Sequence, residues 1–447
     1  MPIKVLMLGW EYPPHIAGGL GVACHGLSES LKDEGVNITF IVPHLSGDED
    51  ASRIKFISAS TVPIKLARRN NSVLTATQSI NADSPNIETI LVESTLSSYN
   101  MAHIEEPLES LQHWNSEILT EVNDANAQKL PLATYKFKGG YGKELVEEVK
   151  RYASVVEEIA RTTEFDIIHA HDWMTYPAGL AASRSTGKPL VIHVHATEFD
   201  RAGESGSAAV YDIEKTAIEE SDSIVAVSKW TSEVLVSKYK AAREKIHIVH
   251  NGVFQSTEEK LRSESPVGNK IVTFLGRVTF QKGPEYFVEA AKKVFREFPD
   301  CHFVMAGSGD ALPDMIRRVA QSGMSMNFHF TGFLNKKDID KLLSFSNVYV
   351  MPSVSEPFGI TPLEAIQANV PVIISKQSGV SEVVANALKV DFWDTDALSR
   401  AICSILKHKS LAATMAKSAM EDIVSITWNS AAKKVKRLYY ETISADS

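Results

Sequence analysis

The chain has 447 residues and a formal net charge of −9, with 46 Lys and Arg against 55 Asp and Glu. This length exceeds that of one ordinary domain, and a content of 44% hydrophobic and 23% charged residues excludes a disordered chain. The acidic balance also argues against bulk binding to nucleic acid, which requires a basic surface.

Short apolar runs rich in Val and Ile recur along the chain, and each is followed by a stretch with helical character. Most runs are continuous rather than alternating, as expected for strands that helices cover on both faces. Because strands alternate with helices, we expect parallel sheets with right-handed crossovers. The predicted strands are 3–8, 37–42, 89–93, 166–171, 190–195, 223–227, 247–249, 270–275, 302–306, 328–331, 348–351, 370–374 and 388–390.

Residues 255–269 interrupt this series, because they are polar and contain Pro266 and Gly268. We therefore predict two doubly wound α/β domains, 1–255 and 256–425. The carboxyl ends of both sheets would face one central cleft, where ligands of such folds bind.

Two further segments stand outside the strand–helix series. Residues 46–141 are irregular and form a predicted insertion, which is either an acceptor-recognition element or surface decoration. Residues 428–442 have a helical pattern that includes the basic run 433–437. This run is either a solvated helix face or a contact to a membrane or polyanion.

Three cysteines, Cys24, Cys301 and Cys403, lie far apart and form no CxxC pair. The spacing indicates neither a disulfide framework nor a zinc ribbon, and it favours a reducing compartment. The first nine residues resemble no secretory signal, and no window has the roughly 18–20 apolar residues of a membrane span. We expect a cytoplasmic protein with neither a nucleic-acid nor a membrane partner. Its oligomeric state is left open.

Glycines follow the first strand at Gly18, Gly19 and Gly21, and another pair follows a later strand at Gly307 and Gly309. At a strand-to-helix junction, glycines let backbone N–H groups approach an anion beside a positive helix terminus. The spacing matches neither GxGxxG nor a Walker loop, so neither a nicotinamide cofactor nor ATP is specifically indicated. Tight turns explain the same glycines, and the pattern alone leaves both interpretations open.

Two pairs of histidines end neighbouring predicted strands, His169 with His171 and His193 with His195. Polar residues at the carboxyl ends of adjacent parallel strands point toward the cleft. Four histidines also suggest zinc, but no further ligand follows at a characteristic spacing. Substrate contact, a structural role and a metal site all stay open from the residues alone.

Charged residues follow two strands of the second predicted domain. Arg277 and Lys282 bracket a turn. The forked guanidinium of Arg277 and the compact ammonium charge of Lys282 together suit a diphosphate. Glu356 lies in a later loop, and Glu364 falls in a helix that we predict to begin near residue 361, with Pro362 in its first turn. Two carboxylates so placed can accept hydrogen bonds from two hydroxyl-rich parts of one ligand.

Taken together, these motifs resemble the retaining GT-B glycosyltransferases of the group 1 and family 4 type. The resemblance covers essentially the whole chain. The opening GWEYPPHIAGGLGVA and the segment HAHDW look like the glycogen and starch synthase branch. The motifs that carry it are Gly18-Gly19-Leu20-Gly21, Gly276-Arg277, Lys282-Gly283, and Glu356 with Glu364 in SEPFGITPLEA.

The resemblance implies a nucleotide-sugar donor in the second domain and an acceptor mainly in the first. Arg277 and Lys282 would neutralise the diphosphate leaving group, and Glu364 would hold the ribose hydroxyls. Glu356 would contact the donor sugar and the diphosphate. Residues 426–447 would form a helix that crosses back to the first domain.

The same resemblance gives the other candidate residues their roles. The backbone of Phe358, Gly359 and Ile360 would bind the donor, and Gly276 and Gly307 are placed in the same donor site. Gly18 and Gly19 would close the diphosphate site from the opposite domain. The remaining two are His195, expected beside the donor sugar, and His171, which matches the histidine of the synthases' HDW segment.

The implied chemistry needs no metal. Glycosyl transfer passes through an oxocarbenium-like state while negative charge grows on the departing phosphate. Preorganised cations stabilise that charge as it develops. No Asp-x-Asp follows an apolar strand, so we predict metal-independent transfer with retention, and no cofactor besides the donor substrate. Closure of the domains around the donor would exclude water.

The leading hypothesis is transfer of glucose from UDP-glucose or ADP-glucose to the non-reducing end of an α-1,4-glucan. The sequence does not choose between these two donors. The alternative is an enzyme of the same fold that acts on a lipid, a phosphosugar or a small metabolite. An NDP-sugar epimerase or hydrolase and a non-catalytic sugar-binding protein are two further alternatives.

Overall fold

The computed structural model describes residues 2–13, 18–44, 54–59, 64–69, 72–77, 132–133, 145–254 and 263–446. The predicted strand at 89–93 and most of the predicted insertion lie outside these residues. In the described part of the chain, no helix combines the length and the apolarity that crossing a lipid bilayer requires.

The strands that the structure describes fall at nearly all the predicted places within that part of the chain. Strands 37–42, 270–275, 348–351 and 388–390 have the predicted limits. The strands are β1 (Lys4–Leu8), β2 (Asn37–Val42), β3 (Lys55–Ser58), β4 (Ile64–Arg69), β5 (Ser72–Thr77), β6 (Leu132–Ala133), β7 (Ile167–His171), β8 (Leu190–Val194), β9 (Ser223–Ala226), β10 (Ile246–Ile248), β11 (Lys270–Leu275), β12 (Cys301–Ala306), β13 (Phe328–Gly332), β14 (Val348–Met351), β15 (Val372–Ser375) and β16 (Leu388–Val390).

Helices connect these strands and cover both faces of the sheets. The helix predicted near residue 361 begins at Thr361 and has Pro362 in its first turn. The helices are α1 (Gly19–Asp33), α2 (Leu145–Thr162), α3 (Tyr176–Thr186), α4 (Glu198–Ala202), α5 (Ala208–Glu220), α6 (Lys229–Tyr239), α7 (Pro284–Glu297), α8 (Leu312–Gln321), α9 (Lys336–Phe345), α10 (Thr361–Gln367), α11 (Thr395–Lys407), α12 (Lys409–Ile423) and α13 (Trp428–Asp446).

Two parallel sheets form the framework, as predicted. The first has seven strands in the order β10-β9-β8-β7-β1-β2-β3, and the second has six in the order β13-β12-β11-β14-β15-β16. In each, the chain starts at the centre, runs to one edge, and returns to fill the other side. The order therefore reverses between β1 and β7, and again between β11 and β14, which are the switch points where doubly wound folds bind ligands.

The range predicted as an insertion includes part of the main sheet. β3 pairs in parallel with β2 and forms an edge of the first sheet. β4, β5 and β6 form a separate antiparallel sheet of three strands. β3 was not predicted, because a run of four residues between polar neighbours has too weak an apolar pattern.

The continuous apolar strands serve two cores at once. Leu6 and Leu8 of β1 belong to the apolar cluster that includes residues of α2 and α3. Val5 and Met7 belong to the cluster on the opposite face, which includes residues of α1 and α13. Because side chains alternate along a strand, both faces must be apolar when helices cover both.

The C-terminal helix α13 follows directly on the second half of the chain, and it packs against α1 of the first. The Trp428 ring lies so close to Gly26 that a Cβ there would come within 2.2 Å of it. At the same crossing, the N–H of Val253 donates to the carbonyl of Ile426. In the basic run, Lys433, Lys434 and Arg437 are exposed, whereas Val435 is buried. Lys436 is half-buried, and its Nζ donates to the carbonyl of Glu34.

We expect Trp428→Ala to destabilise the fold by about 3–5 kcal/mol, the usual cost of truncating a buried aromatic side chain. Trp428 is 3% exposed and fills the interface between α1 and α13. Urea unfolding followed by circular dichroism measures the change. The matched control is Trp393→Ala, which alters a side chain that is 58% exposed and should change stability by no more than about 0.5 kcal/mol. Equal effects of both substitutions would contradict this packing.

Candidate active site

The sequence motifs lie at the carboxyl ends of the strands that border the two switch points. Gly18 and Gly19 follow β1, and His171 ends β7. In the second sheet, Arg277 follows β11, and the loop that contains Glu356 follows β14. Because parallel strands end at the same edge, residues far apart in sequence come together here.

An ion pair joins the two loops of the second sheet. Nζ of Lys282 lies 2.5 Å from Oε2 of Glu356, and both side chains are largely buried. The Ser353 hydroxyl donates to the same carboxylate oxygen over 3.1 Å. A backbone hydrogen bond from Val354 to the carbonyl of Gln281 holds the loops together. The structure thus pairs two residues that the sequence analysis placed in the donor site.

Arg277 lies on the same loop as Lys282 and is half-buried. Its Nη2 makes a long contact of 3.5 Å with Oε1 of Gln281. Asp172 directly follows β7 on the first-domain side of the cleft. Burial raises its pKa, while the positive charges of Arg201 and Arg277 oppose this rise. The guanidinium of Arg277 therefore acts across the cleft on the opposite domain.

Glu364 lies in the first turn of α10, as predicted, and it has a partner that the sequence did not indicate. Oε1 of Glu364 is 2.8 Å from Nζ of Lys336 at the start of α9. Just before the helix, Phe358 is buried and Gly359 has a φ of +99°, which favours glycine. Ile360 then leads directly into α10.

Gly18 and Gly19 lie at the N-terminus of α1. A Cβ at either position would meet no other described atom within 4 Å. The third glycine of the motif is held in place, because the N–H of Gly21 donates to the buried carboxylate of Glu11 over 3.0 Å. Internal packing among the described residues therefore gives no reason for Gly18 and Gly19.

Gly276 and Gly307 directly follow the neighbouring strands β11 and β12 of the second sheet. A Cβ at Gly307 would come within 1.9 Å of the Gly276 carbonyl oxygen, and one at Gly309 within 2.2 Å of the Val278 carbonyl oxygen. Gly307 also has a φ of +139°. Close packing of backbone on backbone therefore explains the GxG pair, apart from any contact with a ligand.

Four imidazole rings stack at the ends of β7 and β8. Their centroids lie 4.2–5.3 Å apart, and the planes of successive rings differ by 6–29°. His169, His171 and His193 are buried, whereas His195 is half-buried. Burial lowers the pKa of His169 and of His195 to about 3, so both rings are neutral at ordinary pH.

His171 contacts the cleft through His195. Its ring is completely buried, and its Nδ1 lies 2.9 Å from Nε2 of His195. At the other end of the stack, Nδ1 of His169 is 2.5 Å from the hydroxyl of Tyr439 in α13. Of the two candidate catalytic histidines, His195 has an exposed surface and His171 has none.

The histidine stack and Cys24 bring possible metal ligands within 4.8 Å of one another. Near-parallel rings, however, direct their lone pairs side by side, whereas a bound ion must lie in the plane of each imidazole. Burial also raises the pKa of the Cys24 thiol well above its usual value, which disfavours the thiolate that binds zinc. The geometry favours a hydrogen-bonded stack over a metal site.

Asp172 is a site residue that the sequence analysis did not single out. Its φ is +63°, which is uncommon outside glycine, and its side chain is buried. Its Oδ1 accepts hydrogen bonds from the N–H groups of His195, over 2.9 Å, and of Ala196. Asp172 thus fixes the position of His195, and the HDW segment was the only signal for it.

Direct hydrogen bonds join the two domains beside the site. The carboxylate of Glu382 accepts from the N–H groups of Lys229 and Trp230, the first two residues of α6. Burial acts to raise the pKa of Glu382, but these bonds and one from His250 outweigh it and lower the pKa. The Ser228 hydroxyl donates to the Pro357 carbonyl over 2.5 Å. These contacts were not predictable from sequence spacing.

Two models of glycosyltransferase families match this chain. Residues 136–254 match the model for Glycosyltransferase Family 4, and residues 255–422 match the model for Glycosyl transferases group 1. Together the two matches span well over half of the chain. The chain belongs to this glycosyltransferase family and has the GT-B fold.

Similar proteins agree with this class. Glycogen synthase of Mycobacterium tuberculosis is 24% identical, over 98% of this chain and 94% of its own. Sucrose-phosphate synthase from Thermosynechococcus elongatus has a similar structure, with a TM-score of 0.70 and 18% identity over 99% of this chain and all of its own. The catalytic domain of starch synthase IV from Arabidopsis thaliana, bound to ADP and acarbose, has a TM-score of 0.65 and 15% identity over 99% of this chain and all of its own.

The histidine stack predicts acid-sensitive stability. An unfolded histidine takes up a proton near its ordinary pKa of 6.5, whereas folded His169 and His195 do so only near 3. The contribution of these two histidines to folding stability is therefore complete above about pH 6.5, and it is lost as the pH falls from there toward 3. His193, whose pKa is also lowered by burial, adds to this loss.

We expect His193→Phe to make the loss of stability between about pH 7 and pH 5 less steep, by up to about 1.4 kcal/mol per pH unit. Thermal unfolding across this range measures the slope. The control, His408→Gln, alters an exposed histidine and should leave the slope as it is. An unchanged slope in His193→Phe would show that this ring does not contribute.

Proposed function

We propose that this protein is a retaining, metal-independent glycosyltransferase that moves glucose from UDP-glucose or ADP-glucose to the non-reducing end of an α-1,4-glucan. The observation that carries the proposal is the pair of Lys282 and Glu356 beside Arg277, at the switch point of the second sheet. This site offers two cations and a carboxylate to one ligand.

The two cations suit the leaving group. As the glycosidic bond breaks, negative charge grows on the departing nucleoside diphosphate. Arg277 presents a planar fork and Lys282 a compact charge, both on the loop after β11. Because the loops are already held in place, these charges stabilise the transition state with little reorganisation. When the diphosphate binds, it would replace Glu356 as the ion-pair partner of Lys282.

The carboxylate and the imidazole suit the donor sugar. Once separated from Lys282, Glu356 would face the positive charge that develops at the anomeric carbon. His195 is neutral, because burial lowers its pKa to about 3, so it can hydrogen-bond a sugar hydroxyl without opposing that charge. His171 would act by fixing which nitrogen of His195 carries the proton.

The remaining candidates would bind the rest of the donor. Glu364 would accept hydrogen bonds from the ribose hydroxyls, and these bonds would replace its contact with Lys336. The backbone of 358–360 and the loop at Gly276 and Gly307 would lie along the nucleotide. Gly18 and Gly19, where a Cβ would meet no described atom within 4 Å, would let the backbone of α1 approach the diphosphate from the other domain.

A glucan acceptor is supported by the relatives. The similarity to a glycogen synthase extends over nearly the whole of both chains. The starch synthase IV structure was obtained with ADP and acarbose, which are a nucleotide and a carbohydrate. Sucrose-phosphate synthase has the same fold, and it favours the second candidate, transfer to a phosphosugar or another small acceptor.

A nucleoside-diphosphate release assay with UDP-glucose and ADP-glucose, each with and without glycogen, tests the proposal. We expect release from one of the donors to depend on glycogen, because transfer requires the acceptor while closure of the site limits hydrolysis. Release should persist in excess EDTA, since the cations replace a divalent metal. NMR of the product should show α-linked glucose.

Release that does not depend on glycogen or maltooligosaccharide would contradict the glucan proposal and favour the second candidate. Exchange of a ring proton in heavy water without any acceptor would instead indicate an epimerase. Loss of activity in EDTA, with recovery on adding a divalent ion, would contradict the metal-independent part.

Lys282→Ala and Glu356→Ala should each lower the rate of transfer at least about 100-fold, the cost of removing one preorganised charge from a transition state. Circular dichroism should show that both variants stay folded. The control is Lys270→Ala, at the opposite end of β11, where the lysine pairs with Asp300. Near-normal turnover in either site variant would overturn the assignment of these residues.

A further inference from the structure

A groove lies beside the candidate site at the boundary of the two domains. Its volume is about 400 Å³, within the range typical of ligand sites. The chain lines it from both halves, with α4, its following turn and α6 on one side and Ser355 on the other. None of the roles proposed for the donor uses this groove.

The groove is continuous with the catalytic loop. Ser355, in its wall, directly precedes Glu356 in the sequence. Nε1 of Trp230 donates to the Ser355 hydroxyl over 3.2 Å, and that hydroxyl donates to Oδ1 of Asp200 over 2.5 Å. A molecule in the groove would therefore contact the loop that also presents Glu356 to the donor.

The groove extends outward along α6. Trp230, Val234 and Lys238 line it at intervals of four residues, one helical turn apart. Eight residues of helix correspond to about 12 Å. The shape therefore fits an elongated ligand with one end at Ser355 and the other directed to solvent.

The lining combines an aromatic ring with hydrogen-bonding groups. Trp230 is half-buried, and its amphipathic indole offers an apolar surface for the C–H groups of a sugar ring. The Phe199 ring supports this wall through edge-on contacts with Tyr211 and Tyr239, and Lys238 lies over it. The carboxylates of Glu204 and Glu233 are exposed, and they can accept hydrogen bonds from sugar hydroxyl groups.

The charges favour a neutral ligand over a phosphorylated one. Asp200, Glu204 and Glu233 line the groove, and Lys238 is the only cation among the described residues of its wall. Lys238 already pairs with Glu204. Glu233 likewise pairs with Arg243. The wall therefore offers a phosphate group no cation that lacks an acidic partner.

We infer that this groove binds the neutral chain of an α-glucan acceptor, on the side away from its reacting end. The inference rests on the proposed function and adds the acceptor path, with Trp230 as its main contact. It favours a glucan over a phosphosugar as the occupant of the groove, because the wall has no cation without an acidic partner to bind a phosphate.

Calorimetric titration of the full-length protein with maltoheptaose tests the inference. Trp230→Ala should weaken maltoheptaose binding at least about tenfold, which corresponds to about 1.4 kcal/mol. It should weaken binding of the nucleoside diphosphate much less than binding of maltoheptaose, because Trp230 reaches the donor site only through Ser355. Trp230→Phe keeps an aromatic ring but not the bond to Ser355, and it should keep most of the affinity. Trp393→Ala, which alters an exposed tryptophan elsewhere, is the matched control.

Wild-type binding of maltoheptaose that Trp230→Ala does not weaken would overturn the inference. So would the absence of maltoheptaose binding, or tighter binding of glucose 6-phosphate that Trp230→Ala weakens. Binding and glycogen-dependent release are separate measurements. Trp230-dependent binding without glycogen-dependent release would refute the proposed transfer while the groove stands as an oligosaccharide site.

Discussion

The ion pair between Lys282 and Glu356 depends on the strand order more than on the local sequence. The two residues are 74 positions apart, and they meet because β11 and β14 are neighbours in the second sheet. A largely buried charge is stable only with a partner, so each residue stabilises the position of the other. The pair also keeps both loops in place before any ligand binds, and preorganisation of this kind makes a charge useful in catalysis.

The histidine stack has the same origin in the first sheet. β7 and β8 are adjacent, and His171 lies directly opposite His193 in the register. Histidines two residues apart on each strand share one face, so four rings collect in a row. Helices α1 and α13 cover this face and remove the rings from water, which lowers their pKa values. Because these rings are kept neutral, the fold loses stability in acid. The same arrangement fixes the position of His195 through its contacts with Asp172 and His171.

The sequence was sufficient to predict the two sheets, most strands and the ends at which the motifs lie, because continuous apolar runs and glycine-rich junctions are local signals. It was not sufficient for contacts that depend on tertiary packing. Nothing in the sequence indicated that Lys336 would pair with Glu364. Nor did it indicate that Glu382 would accept hydrogen bonds from the backbone at the start of α6. His171 looked like a cleft residue, because strand position predicts which end of a sheet a side chain occupies but not the depth at which it is buried.

Beside the site, hydrogen bonds join the two domains, from Ser228 to Pro357 and from the start of α6 to Glu382. Bonds of this kind can break and form again during closure, and interfaces within a chain commonly allow such movement. The loop around Pro357 takes part in three of the events described. It accepts from Ser228 of the other domain, it contains Glu356, and through Ser355 it forms a wall of the acceptor groove. Movement of this one loop would therefore alter the donor site and the groove together. If the groove holds the acceptor as proposed, this coupling would let the acceptor help to form the donor site, and it would limit reaction with water when no acceptor is bound.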